Sequence, residues 1–274
     1  MKMPRVSSPD ARMNVNEMPY MLQLLWARHV LYCLVETQIK TRYQRSVLGF
    51  FWSLLNPIFT MLIYYFLLSI VFRVQMESYT IFMFSGVLPF TFFSTAVSTS
   101  TTSLVTGEGY YKSYYIPKMV FPLASVAVSL FDFAAAFAVL IGLGVFFGFR
   151  PSAALVILPL SLLFMVIFTM GCSLLASLMG AYFVDFRHMI AVAMQFLFFA
   201  TPIVYPLDMV PGSLKMILGL NPLYYLVSNF NLPIYYHSFP SASLLTVSLL
   251  VSCGAVVLGA ALFRKYEGGL VFCR

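Results

Sequence analysis

The chain has 274 residues, of which 61% are hydrophobic and only 9% charged. A water-soluble domain carries roughly a quarter of its residues as Asp, Glu, Lys and Arg to dress its surface, so a soluble globular protein is excluded and a bilayer is the expected solvent. The formal net charge of +7 does not point to nucleic acid, because the basic residues lie at the edges of apolar runs and form no single stripe, a placement that anionic headgroups and membrane topology favour.

In chain order, the first 20 residues are polar and contain prolines, with no central apolar stretch, so no cleavable signal peptide is expected. Met18 to Arg45 then mixes Leu22, Leu25, Trp26, Leu31, Leu34, Val35 and Ile39 with Arg28, His29, Glu36, Lys40, Arg42 and Arg45. Its apolar runs are too short to span. It reads as an amphipathic helix in the interface, with Trp26 and Tyr43 at headgroup depth and Glu36–Lys40 paired at i,i+4. A soluble helix packed on another subunit is the alternative. Residues 1–45 form this tail and helix, 46–263 the membrane domain and 264–274 a second tail.

Crossing about 30 Å of hydrocarbon takes about 20 helical residues. Six runs qualify as spans: Ser46 to Phe72, Ser78 to Thr106, Met119 to Phe149, Pro151 to Val184, Met189 to Leu207 and Ser238 to Phe263. The third carries one charge, Asp132, and the fifth is short and interrupted by Pro202 and Pro206. Irregular backbone at that depth is tolerated only inside protein or beside a cavity, so a cavity is expected near Thr201 to Pro206. Between the fifth and sixth runs, Asp208 to His237 is broken by Pro and Gly and predicts short external helices. The expected fold is an all-α integral membrane protein with six transmembrane helices. With the N-terminus inside, Lys2, Arg5, Arg12, Arg28, Lys40, Arg42, Arg45, Lys112, Lys118, Arg187, Arg264, Lys265 and Arg274 fall on the cytoplasmic side, against Arg73, Arg150 and Lys215 outside. Thirteen against three predicts cytoplasmic termini in an inner (plasma) membrane.

Cys33, Cys172, Cys253 and Cys273 show no CxxC spacing and read as packing residues. There is no GxxxxGK[ST] phosphate loop, no HExxH and no GxSxG. Asp132 is the single carboxylate within a run, thin support for an ion-coupled carrier. The chain is therefore expected to be a transport subunit and not an enzyme, with no catalytic residues, no metal and no cofactor of its own. Its energy would come from a separate motor.

Three stretches carry a resemblance. The first is Arg42-Tyr43-Gln44-Arg45-Ser46-Val47-Leu48-Gly49 with Trp52 and Asn56-Pro57. The second is Tyr115-Ile116-Pro117-Lys118-Met119-Val120-Phe121-Pro122-Leu123. The third is Tyr182-Phe183-Val184-Asp185-Phe186-Arg187-His188, followed by Thr201-Pro202-Ile203-Val204-Tyr205 and Asn221-Pro222. Together, over about residues 20 to 265, they resemble the permease subunits of type-2 ABC exporters, in the branch exporting O-antigen, capsule and teichoic-acid chains. The family usually has an Arg-Asp pair where this chain has Val184-Asp185. The resemblance implies a dimeric channel for a lipid-linked polysaccharide, driven by two separate ABC ATPase subunits that bind ATP and Mg. A permease for drugs, haem or another lipid is the nearest alternative.

Candidate sites follow from residues and resemblance together. In Gly107 to Val120, glycines break the preceding helix and Tyr110, Tyr111, Lys112, Tyr114, Tyr115 and Lys118 offer aromatic and basic anchors, suited either to a protein interface or to a headgroup belt. The resemblance implies a coupling helix on the ATPase, with Gly107 and Glu108 in the contact. Arg42, Tyr43, Arg45, Leu48 and Gly49 are candidates for receiving the lipid diphosphate, since Arg suits phosphate oxygens. An ordinary positive-inside anchor explains the arginines equally. Trp52, Tyr64, Tyr65, Phe196, Phe199 and Tyr205 are candidates for a channel lining that sugar rings could slide along, with core or lipid packing as the alternative. The hydroxyl tract from Ser94 to Thr106 reads either as close helix packing or as a wet wall. Asp132 needs a partner or water.

Overall fold

The computed structural model describes residues 28–43, scattered positions between 51 and 66, and 79–113, 116–144, 152–207 and 210–271. Most of the first expected span, with Arg45, Leu48, Gly49, Trp52, Tyr64 and Tyr65, lies outside the described residues, as do Tyr114 and Tyr115. Among the described residues every regular element is helical. The helices are α1 (Arg28–Tyr43), α2 (Tyr79–Thr106), α3 (Glu108–Ser113), α4 (Val120–Gly144), α5 (Leu158–Tyr182), α6 (Phe186–Phe199), α7 (Gly212–Gly219), α8 (Pro222–Ile234) and α9 (Ala242–Tyr266). Short 3-10 turns, Ala153–Ile157 and Glu267–Val271, precede α5 and follow α9.

Among the described residues, four helical segments are long and apolar enough to cross a membrane: Tyr79–Thr106, Val120–Gly142, Ala153–Tyr182 and Ala242–Gly269. They correspond to the second, third, fourth and sixth expected runs. The fifth differs from the expectation. α6 has 14 residues, about 21 Å at 1.5 Å per residue, short of the hydrocarbon thickness. It ends at Ala200, where the chain turns through Thr201–Tyr205 before Pro206.

α2 sits at the centre. It is uncharged throughout and buried over most of its length, so its neighbours surround it. Neighbouring phenylalanines, about 100° apart around the axis, each serve a different partner. Phe92 meets Phe133 of α4 at 5.8 Å, Phe93 stacks on Phe168 of α5 at 5.5 Å, and Phe90 meets Phe198 of α6 edge-on at 5.3 Å. α8 closes the core with Leu223, Leu226, Val227, Phe230 and Ile234. Gly86 lets α8 approach, since a Cβ there would lie 3.3 Å from both Asn231 Oδ1 and Ile203 Cγ2. The hydroxyl tract of α2 takes the packing reading. Ser100, Thr101 and Ser103 are buried and donate to the carbonyls of Ala96, Ser98 and Ser100, which satisfies them without water.

α5 and α9 also cross in close contact. A Cβ on Gly171 would fall 2.3 Å from the Ala255 backbone, and one on Gly259 would fall 2.4 Å from the Gly171 carbonyl oxygen. Ser252 Oγ donates to the Phe164 carbonyl across the same interface at 2.9 Å. Small residues of this kind let backbones touch where lipid removes the usual hydrophobic drive for association.

A second, smaller cluster forms at the far end of α2. Leu104, Met119, Phe121, Leu174, Leu178 and Phe263 are buried together there, with Leu34, Tyr111, Ile116 and Tyr182 packed around them. α1 joins the fold through this cluster. Leu34 rests near Met119 and Phe121 at the start of α4, and Arg42 Nη1 reaches Asp132 Oδ2 at 2.5 Å some three turns further along. The axis of α1 therefore follows α4 over this stretch. Its covered residues are Leu31, Leu34, Val35 and Ile39, with Tyr32, Cys33, Thr37 and Lys40 exposed. The expected i,i+4 pair is present between Glu36 and Lys40.

Candidate functional site

At one end of the molecule α2 stops at Gly107 and the chain turns into the six-residue α3. The glycine is required by proximity: a Cβ at position 107 would sit 2.4 Å from the Phe121 ring. Gly107 still accepts backbone bonds from Tyr110 and Tyr111, so the break leads directly into the new helix. Gly109, the second expected breaker, lies within α3 with open space around it.

The aromatic and basic residues of this loop divide into two groups. Tyr110 points outward and is 51% exposed. Tyr111 is partly buried, with its ring edge-on to Phe121 at 5.9 Å. Lys118 lies 5.5 Å above the Tyr111 ring and donates from Nζ to the Glu267 carbonyl at 2.6 Å. Burial pushes the Lys118 ammonium below the ordinary lysine range. Lys118 and Tyr111, both expected as docking anchors, are half-buried, and their side chains make contacts within the molecule. Lys112 is placed on α3 by its backbone, and Glu108 is partly exposed. No local pattern marks this division, because Tyr110 and Tyr111 are adjacent and chemically identical.

Asp132 acquires the partner that the sequence did not name. Its carboxylate meets Arg42, 90 residues away, with both side chains partly exposed. A lone aspartate on a span costs about 2.5–3.5 kcal/mol on insertion scales, and a guanidinium hydrogen-bonded to it relieves much of that. Arg42, expected to receive phosphate, is therefore already held by a carboxylate. The backbone of Tyr43 ends α1 beside it. Arg187, the basic residue near the expected Arg-Asp position, donates from Nε and Nη2 to the Gly180 carbonyl at 3.3 and 3.2 Å. There it secures the end of α5, while Val184 is exposed.

The opposite end holds the cavity expected near Thr201 to Pro206. Its volume is 580 Å³ and its walls include Phe196, Ala200, Tyr205, Leu218, Asn221 and Pro222. Asn221 explains how irregular backbone survives here. Its Oδ1 accepts from Leu223 N and so caps α8, while its Nδ2 donates to the Ala200 carbonyl at 3.1 Å and to Thr201 Oγ1 at 2.9 Å. One side chain thereby satisfies groups freed at the end of one helix and the start of another. Tyr79 adds a hydroxyl bond to the Val204 carbonyl. Of the expected channel aromatics, Phe196 and Phe199 are 71% and 63% exposed on α6, and Tyr205 donates to the Phe199 carbonyl at 2.9 Å.

A family model for the ABC-2 type transporter matches residues 29–235. The chain belongs to that family. With several apolar helices of spanning length, it is a multi-pass membrane protein. It is similar to the O-antigen export system permease protein RfbA of Myxococcus xanthus, 31% identical over 89% of this chain and 94% of the relative. It is 28% identical to the protein of that name from Klebsiella pneumoniae, over 87% of this chain and 92% of the relative. The polysialic acid transport protein KpsM of Escherichia coli is 25% identical over 85% of this chain and 92% of the relative. The motif resemblance and these comparisons lead to the same family, and these relatives fall in its polysaccharide-exporting branch.

Proposed function

We propose that this ABC-2 transporter is the membrane permease of an ATP-driven exporter of lipid-linked polysaccharide. In this reading two copies form the conduit and two separate ATPase subunits supply ATP hydrolysis, with Mg. The observation that carries it is the near end-to-end similarity to relatives named for O-antigen export, 94% of the length of one and 92% of another. Both termini face the cytoplasm of an inner membrane, and the 107–119 end is the cytoplasmic one. α1 begins at that interface and runs alongside α4, and the lipid diphosphate is received near Arg42, Tyr43, Arg45, Leu48 and Gly49. Two further crossings, the first run and a fifth made by α6 together with the turn through Thr201–Tyr205, complete six.

The geometry supports an ATPase contact through the exposed side of α3 at Glu108, Gly109 and Tyr110, and the contact is proposed to extend to Lys112, Tyr114 and Tyr115 from the sequence. Exposed tyrosine on a short, rigid helix gives large contact area at low entropic cost. The exposed face of α6, with Phe196 and Phe199, and the neighbouring Tyr205 suit an aromatic surface over which sugar rings slide, joined by Trp52, Tyr64 and Tyr65 of the first run. An ion-coupled carrier finds less support, since Asp132 already pairs with Arg42.

Affinity purification of the tagged chain from its native membrane tests the proposal. Co-purification of a phosphate-loop ATPase, with surface glycan lost when the chain is deleted, is the expected result. Export by the chain alone in liposomes, driven by an ion gradient, would defeat it.

A further inference from the structure

We propose that Lys118 is a positioning residue that links the ATPase-docking helix α3 to the paired helices α5 and α9, so that movement at the motor is passed to that pair through the turn following α9. The inference rests on the reading that an ATPase seats on α3.

A continuous set of contacts carries it. Tyr111 is the inward-facing aromatic of α3, edge-on to Phe121 and 5.5 Å beneath Lys118 Nζ. Lys118 Nζ then donates to the Glu267 carbonyl at 2.6 Å. Glu267 is the residue that closes α9. Glu267 also opens the 3-10 turn that follows α9, and its carbonyl lies at the negative end of the α9 dipole, so a lysine finds a favourable acceptor there. The same turn is tied to α5. Tyr182 Oη donates to the Tyr266 carbonyl at 2.8 Å, and a Cβ on Gly269 would lie 2.4 Å from that hydroxyl. α5 and α9 in turn meet backbone to backbone at Gly171 and Gly259, so they respond as one body. Among the described contacts, α3 is joined to α2 through Gly107 and to the turn after α9 through Tyr111 and Lys118.

The test uses the complete complex of permease and ATPase subunits in proteoliposomes, with Lys118→Met, Lys118→Arg, and deletion of residues 267–274 alone and combined with Lys118→Met. The methionine keeps the apolar stem and removes the donor. The expected result is co-purification of the ATPase at wild-type yield, with glycan exported per ATP hydrolysed falling about tenfold, the scale of a coupling free energy of 1–2 kcal/mol. Lys118→Arg, which keeps a donor, restores most of the ratio. The deletion lowers the ratio as Lys118→Met does, and the combination lowers it no further. A wild-type ratio in Lys118→Met overturns the proposal, as does parallel loss of ATPase binding and export, or an additive effect in the combined variant. Failure of the wild-type chain to bring down any ATPase overturns the docking reading together with this one.

Discussion

The α5–α9 crossing and the α6 helix stand side by side in the chain and are built by opposite rules. At the crossing, Gly171, Gly259 and Ser252 bring two backbones within van der Waals contact, and no side chain intervenes. On α6, large aromatics project from a helix too short to span and remain uncovered, Phe196 and Phe199 among them. A crossing of backbones has no slack, because a backbone cannot change rotamer. A face of exposed aromatic rings has a great deal. The first arrangement suits a rigid scaffold and the second a surface that meets something else.

The largest expected effect comes from forcing the crossing apart. Gly171→Ala places a methyl group 2.3 Å from the Ala255 backbone, so the helices must separate, at a cost of about 3 kcal/mol. Thermal unfolding in detergent should show a clearly lowered Tm, and an unchanged Tm would mean the crossing is looser than its geometry. Asn221→Ala should follow, because it removes the α8 cap and leaves the Ala200 carbonyl without its donor. About 1–2 kcal/mol is expected, read as earlier amide exchange in Leu223 and its neighbours.

The Arg42–Asp132 pair should matter less, since both groups are partly exposed and solvent or headgroups screen them. Asp132→Asn is expected to cost under about 1 kcal/mol, and Arg42→Ala more, because it leaves a carboxylate on the flank of α4. Exchanging the two residues should recover the stability. A charge-swapped protein as unstable as Arg42→Ala would show that the pair is not what holds α1 to α4. The smallest stability effect belongs to Phe196→Ala with Phe199→Ala, within about 0.5 kcal/mol of wild type in Tm measurements, as for other exposed positions. The same double variant is expected to lower glycan export. Loss of stability without loss of export would place these rings in a packed interface instead.

Residues that act locally were legible before the fold was known. The Glu36–Lys40 pair needs only a helix, and it is present. The break at Gly107 and the turn around Pro202 and Pro206 follow from the backbone preferences of Gly and Pro, and the cavity beside Tyr205 lies where that turn predicted it. The candidate site was legible only in outline. The stretch around Gly107 stood out, yet Tyr110 and Tyr111 differ in role through a rotation of about 100° on α3. Lys118 read as an outward anchor because its acceptor, the Glu267 carbonyl, is a main-chain group at the other end of the chain.

By itself the sequence determined that this protein is helical and membrane-embedded, and roughly where four of its long apolar helices lie, because span length and hydropathy are properties of consecutive residues. Only the tertiary structure decided that Asp132 meets Arg42, that the hydroxyls of α2 bond to their own backbone, and that Lys118 in the loop after α3 reaches the turn that follows α9. Each of those depends on which helix lies against which, and in a uniformly apolar chain no local pattern marks one neighbour over another.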